Sequence, residues 1–153
     1  MSQELTTAIH LGDEEIPWVG IPDGSLMKVV YARVQEGLWI IRNRFKAGFE
    51  VATHKHTGPV FGYTSSGAWK YKEYDYVNRA GSFLYEPAGS IHTLMVPEDN
   101  TEDTDVWFQI HGANLNLNPD GSIESVVDAK LVSDAYFALC EMQGLSRPNV
   151  VTD

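Results

Sequence analysis

From about residue 27 to residue 110 the chain divides into short runs rich in β-branched and aromatic residues, and no helical period is sustained before about residue 125. The pattern predicts strands at Met27–Val34, Leu38–Phe45, Val60–Thr64, Ala68–Tyr76, Ser82–Tyr85, His92–Val96 and Asp105–Ile110. Turn chemistry separates them: Gln35-Glu36-Gly37, Ala47-Gly48, Ser65-Ser66-Gly67, Ala80-Gly81 and Pro87-Ala88-Gly89. Asn118-Pro119-Asp120-Gly121 predicts a tight turn closing a late hairpin between Ala113–Leu117 and Ile123–Val127. Many short strands at near-regular spacing imply a sandwich or small barrel. From Asp128 the period changes. Leu131, Ala135, Leu139 and Met142 fall on one helical face, with Ser133 or Asp134 as a cap and Gly144 as a stop. The reading is one all-β domain over residues 1–153: an irregular arm at 1–25 ending in the turn Pro22-Asp23-Gly24, a core at about 26–127, and a C-terminal helix at about 130–144.

Composition narrows the function classes. Eleven Lys and Arg against 21 Asp and Glu give a net charge of −10, and the basic residues never cluster. That argues against nucleic acid or an anionic membrane as a partner, since both need a basic patch. No apolar run approaches the roughly 20 residues of a membrane span. A single cysteine cannot staple the fold, and no charged-then-apolar leader opens the chain, so a reducing cytoplasm is the expected location. Cys140, on the predicted helix, reads as a small buried apolar residue.

Histidines carry the chemistry. His54 and His56 are one residue apart, which in a strand points both imidazoles to one face, where a single cation can take both. The bland reading is a surface pair beside Lys55. His92 follows the turn Pro87-Ala88-Gly89, and a barrel would bring it opposite the pair. Two rings from one strand and a third from another form one triangular face of an octahedral site, leaving positions open for substrate and dioxygen.

In full, Gly48, His54-Lys55-His56, Gly67, Gly81, Pro87-Ala88-Gly89 and His92 resemble the two signature motifs of the cupin superfamily. The resemblance implies a small antiparallel β-barrel, or jelly roll, with a divalent metal inside it. It also implies a glutamate ligand after the second histidine, where this chain has Val60. Alternation offers another carboxylate. In Ala68–Tyr76, Trp69, Tyr71 and Glu73 share one face, and a buried Glu73 would be satisfied by ligation; the alternative is a strand-end glutamate turned to solvent. Glu86, in a turn-forming Tyr-Glu-Pro, and Glu50 are weaker candidates.

His54–Val60, Gly67–Tyr71, Tyr85–Leu94 and Val96–Asp99 resemble, more narrowly, the ring-substituted hydroxyacetophenone dioxygenases and the wider group of ChrR-like cupins. That resemblance implies non-haem iron(II), with zinc, nickel or manganese as alternatives, and cleavage of a carbon–carbon bond beside the carbonyl of a small hydroxyketone or diketone. His54, His56 and His92 would hold the metal, with Glu73 as a fourth ligand or a base. Trp69, Tyr71, Phe83, Tyr85, Trp107 and Phe61 form the aromatic pool for a substrate pocket, each equally able to serve as core packing, and Gln109 offers one polar contact. His111 reads as a packed or rim histidine and His10 as surface. The expected partners are a small ketone and dioxygen, in a homo-oligomer of two or four chains. The competing readings are a metal-binding sensor or effector-binding module and a metal-dependent isomerase or hydrolase.

Overall fold

The computed structural model describes residues 5–153; the first four residues of the predicted arm lie outside it. Fourteen strands and one α-helix, with two short 3₁₀ turns at Asp13–Glu15 and Val34–Glu36, follow in order among these residues. They are β1 (Val19–Gly20), β2 (Leu26–Arg33), β3 (Leu38–Phe45), β4 (His54–His56), β5 (Val60–Ser66), β6 (Ala68–Tyr71), β7 (Asn78–Arg79), β8 (Phe83–Glu86), β9 (Ile91–His92), β10 (Leu94–Met95), β11 (Thr104–His111), β12 (Asn114–Leu117), β13 (Ile123–Val127), α1 (Ala129–Met142) and β14 (Val151–Thr152). The large sheet has the order β1-β2-β3-β11-β5-β8, with β14 added parallel to β2; all its other pairs are antiparallel. Two smaller sheets, β13-β12-β4-β9 and β10-β6-β7, supply the remaining walls of the barrel.

Strand β3 shows how the sequence selects an inside. Alternate residues Trp39, Ile41, Asn43 and Phe45 are buried, while Leu38, Ile40, Arg42 and Arg44 remain partly accessible. Each large apolar side chain so buried contributes about 1.5–3 kcal/mol. On β11 the buried residues include Val106, Phe108 and Ile110, while Trp107 and Gln109 stand on the outer face. There Trp107 sits beneath the Arg42 guanidinium, 5.2 Å from ring centroid to Cζ.

The predicted strand Ala68–Tyr76 is shorter than its composition suggests. β6 ends at Tyr71, and Lys72 and Glu73 enter a turn closed by Tyr74 N–H donating to Tyr71 O at 3.1 Å. The helix is where the sequence places it, but its buried face differs. Ala129, Val132, Ser133, Tyr136 and Cys140 are buried, while Leu131 is 48% and Met142 81% exposed. Asp128 caps it, accepting from Leu131 N–H at 2.9 Å, and Gly144 follows its end at φ +74°. Tyr136 decides the phase: its hydroxyl donates to Pro17 O at 2.5 Å, tying the helix to the arm. The arm is accordingly structural, with Ile16 and Val19 in the core and β1 paired to β2.

Candidate metal centre

β4 presents its residues buried, exposed, buried, so His54 and His56 point inward and Lys55 outward. β9 lies antiparallel beside it with His54 directly opposite His92. The three ring centroids are 4.8 Å (His54–His56), 5.3 Å (His54–His92) and 5.0 Å (His56–His92) apart. Each offers a nitrogen within 4.8 Å of those of the other two, a spacing that one cation can bridge.

Neighbouring groups orient two of the rings. Asn114 on β12 is the cross-strand partner of His56, and its Oδ1 lies 2.6 Å from His56 Nδ1. His54 Nδ1 is 2.9 Å from Ala52 O. Donation from both Nδ1 atoms fixes the tautomer that turns Nε2 and its lone pair inward. His92 lies flat against the Tyr71 ring, centroids 3.8 Å apart and planes 10° from parallel.

Glu86 brings the carboxylate. It ends β8, is 3% exposed, and approaches His92 Nε2 at 3.2 Å (Oε1) and His56 Nε2 at 3.4 Å (Oε2). In the β5–β8 register its partner is Val60, the position where the cupin motif would carry its own glutamate. A carboxylate on the adjacent strand thus serves the neighbourhood that Val60 leaves apolar. The Tyr71 hydroxyl donates to Glu86 Oε1. Burial raises the Glu86 carboxyl to about 7, against the lowering effect of that hydrogen bond. Burial also holds His56 down at about 3 and His92 at about 4, and the neighbouring rings add to both shifts. His54 is lowered too, mainly by burial. The close His–Glu approaches are therefore not ion pairs in the metal-free chain. Consistently, His56 Nε2, both ring nitrogens of His92 and Glu86 Oε2 are buried without a hydrogen-bond partner. Orphaned atoms from three neighbouring residues, one ring nitrogen of His92 among them, are costly to bury unless a cation takes them, so the residues fit a divalent metal.

Glu73 is not among these groups. It is exposed, and its Oε2 accepts from Thr93 N–H at 2.9 Å, because the chain turns after Tyr71 and the alternation that would have carried Glu73 inward stops. It acts on the site only at a distance, raising the His54 pKa slightly. Glu50 is exposed and paired with Lys72 at 2.6 Å.

The site opens on a cavity of about 180 Å³. His54, His56, Glu86 and Tyr71 line it, together with Trp39, Ile41, Phe45, Val51, Leu94, Phe108 and Ile110. Of the aromatic pool only Tyr71 is part of this wall. Trp69 is fully buried core, edge-on to Tyr71 and Phe108, with its Nε1 donating to Thr64 Oγ1 at 2.9 Å. Phe83 and Tyr85 are 59% and 53% exposed and pack at tilted angles against Phe61 and Tyr63 on the outer face, while Leu84 and Glu86 turn inward. Gln109 and His111 are on that outer face as well, 3.2 Å apart, and His111 meets Phe61 edge-on. His10 is exposed.

Asn114, Asn43, Ser25 and Asp23 also line the cavity, and none was singled out by the sequence reading. Asn43 had a legible signal, being the one polar residue on the apolar face of β3. Ser25 and Asp23 had none, since the arm they belong to carries no period.

The model of the ChrR Cupin-like domain family matches residues 6–113. The chain belongs to this cupin family. The ChrR-like cupin also resembles two solved structures from Ralstonia eutropha JMP134. One is an RmlC-like cupin protein, at 30% identity and TM-score 0.88 over 95% of each chain. The other is a protein of unknown function with a cupin-like fold, at 28% identity and TM-score 0.88 over 99% of this chain and 96% of that one. An acetylacetone dioxygenase from Acinetobacter johnsonii has the same fold at 15% identity, with TM-score 0.78 over 91% and 96% of the two chains. No curated protein matches.

Proposed function

We propose that this ChrR-like cupin is a metal-dependent dioxygenase that cleaves the carbon–carbon bond beside the carbonyl of a small hydroxyketone or diketone. The observation that carries the reading is the buried cluster of three neutral imidazoles and one carboxyl opening on a predominantly apolar cavity. The fold shared with the acetylacetone dioxygenase points the same way.

His54 and His56 from β4 and His92 from β9 would hold the metal, with Glu86 as a fourth group. Ferrous iron at this place supplies open coordination positions and electrons for the activation of dioxygen. The cavity wall around it excludes water and admits an apolar body. Tyr71 donates to Glu86 Oε1 and leaves Oε2 as the basic atom, facing the cluster and suited to accept the proton of a substrate hydroxyl or acidic carbon. In the net reaction one carbon–carbon bond breaks and each fragment retains one oxygen atom of dioxygen.

The test is oxygen uptake by iron-loaded protein against a hydroxyacetophenone and a β-diketone. Uptake with either, with acidic products in stoichiometric yield, supports the reading. Absence with both overturns it and turns the assignment to a metal-binding sensor or effector-binding module. An isomerase or hydrolase of sugars would call for a polar interior, which the lining of Ile41, Phe45, Leu94, Phe108 and Ile110 does not provide.

A further inference from the structure

We infer that Tyr71, Tyr74 and Tyr76 form an electron relay from the metal centre to the surface, through which a small hydrogen-atom donor in solution quenches oxidising equivalents left by peroxide. The inference rests on the histidine cluster and Glu86 holding a redox-active metal, as proposed above, and not on the cleavage of a ketone.

The series begins inside the cluster, where the buried Tyr71 ring lies flat on His92 with centroids 3.8 Å apart. The turn after β6 then doubles the chain back. Tyr74 N–H donates to Tyr71 O at 3.1 Å, and the Tyr74 ring centroid lies 6.3 Å from that of Tyr71 and 6.5 Å from that of His92. Tyr74 in turn stacks on Tyr76, with centroids 5.3 Å apart and planes 12° from parallel. All of these are contact separations for aromatic rings. Tyr74 and Tyr76 are 39% and 47% exposed, so the rings lead from a buried imidazole to solvent. Electron transfer falls off steeply with distance, and short steps between touching rings replace one long jump. The other aromatic neighbour of Tyr71 offers no such exit: Trp69 is fully buried and meets Phe108, whose ring is far harder to oxidise than a phenol.

A phenol gives up an electron readily only when its proton has somewhere to go. The Tyr71 hydroxyl already donates to Glu86 Oε1, and water serves the exposed Tyr74 and Tyr76. In each passage Tyr71 loses an electron to the centre and its proton to Glu86, then takes an electron from Tyr74 and recovers the proton. Tyr74 and then Tyr76 release a proton to water as they are oxidised and regain one as they are reduced. A hydrogen-atom donor such as ascorbate closes the sequence at Tyr76. Two passages convert one hydrogen peroxide and one ascorbate into two waters and one dehydroascorbate.

In the experiment, full-length protein loaded with ferrous iron, without ketone, receives hydrogen peroxide and a nitroso spin trap. Adducts are located by peptide mass spectrometry, and parallel samples are frozen for electron paramagnetic resonance. Tyr63 and Tyr85 are the internal control: at 49% and 53% exposed they are as open as Tyr76, but they lie on the outer face of the large sheet. The expected result is a tyrosyl radical with adducts concentrated at Tyr74 and Tyr76, and faster decay of the radical when ascorbate is added. Tyr74→Phe keeps the ring and removes the oxidisable hydroxyl. It should abolish the Tyr76 adduct, move oxidation to Tyr71 and His92, and leave the radical insensitive to ascorbate. Tyr74→Trp, oxidisable again, should restore the Tyr76 adduct, and Tyr85→Phe should leave it unchanged. Zinc-loaded protein should give no adduct. Failure to bind iron, equal labelling of Tyr63, Tyr76 and Tyr85, or a Tyr76 adduct undiminished in Y74F overturns the inference. Labelling that depends on Tyr74 without oxygen uptake on any ketone supports the inference and counts against the dioxygenase reading alone.

Discussion

Glu86 is held by opposing demands. Burial pushes its carboxyl up to about 7 while the Tyr71 hydroxyl pulls it down, so near pH 7 it can release its proton to solvent as a metal binds or take one up from a substrate. Replacing it by glutamine keeps the shape and removes the charge. E86Q is expected to weaken metal affinity about 10–100-fold, read by competition against a chelator, with the histidine cluster still able to bind. The metal-free chain also has a defined acid response. Rings depressed below 6.5 bind more protons when unfolded, so His54, His56 and His92 subtract stability as pH falls from 6.5 to about 4. Glu86 acts in the other sense: its stabilising share is full below 4.5 and is lost as pH rises through about 7. With three rings against one carboxyl, urea midpoints in the presence of chelator should fall on acidification. They should fall more steeply in E86Q, which lacks the opposing group. An unchanged slope in E86Q would place the Glu86 carboxyl in solvent-like surroundings.

At the scale of elements, what was legible in the sequence depended on whether a local rule settles the facing of a strand. Period two on His54-Lys55-His56 was enough to bring two rings together, and the turn before His92 set the third against them. β3 was readable end to end because only one of its faces is apolar. β8 was not, because Phe83 and Tyr85 are more apolar than Leu84 and Glu86 taken together, yet they pack against Phe61 and Tyr63 on the outer face of the sheet. Hydrophobicity alone put Phe83 and Tyr85 inside, and the turn-forming Tyr-Glu-Pro left Glu86 a weaker candidate. Trp107 and Gln109 were misfaced on β11 for the same reason, since Arg42 covers the indole from outside. Strand length failed at Tyr71, where composition remains β-favouring through Tyr76 but Thr93 N–H captures Glu73 in the turn. It follows that Tyr85→Ser should leave metal stoichiometry and ketone binding unchanged, as measured by metal analysis and fluorescence titration. Gly67→Ala should behave differently. Gly67 joins β5 to β6 at φ +75°, and an added Cβ would lie 2.5 Å from Thr104 Oγ1 and 2.6 Å from Thr104 Cα. A loss of roughly 2–4 kcal/mol is expected from chemical denaturation.

On the scale of the whole molecule, the candidate metal-binding groups span two sheets: β4 and β9 contribute the imidazoles and β8 the carboxyl. A cation bound there would add a link between these walls, and it would bind the folded chain in preference to the unfolded one. At free metal about 100-fold above its dissociation constant, the gain is about 2.7 kcal/mol. For a chain of this size, that corresponds to a rise of roughly 5–10 °C in the calorimetric midpoint, reversed by chelator. No shift with any of iron, zinc, nickel or manganese would remove the metal centre from the account. The arm and the helix are secured without metal. The Gln143 side chain bonds Gly20 N–H and O at 3.2 and 3.0 Å, and Tyr136 holds Pro17, so the helix and the arm brace each other across β2.

That bracing bears on how such a protein can diversify. The turn after β1 delivers Asp23 and Ser25 to the cavity, whereas the three clustered imidazoles lie between residues 54 and 92. The histidine cluster and this part of the cavity wall are thus written in separate stretches of one gene. Recombination exchanging the first 45 residues between relatives would rebuild one side of the cavity while leaving the histidine cluster untouched, provided the helix that clasps the arm travels with it.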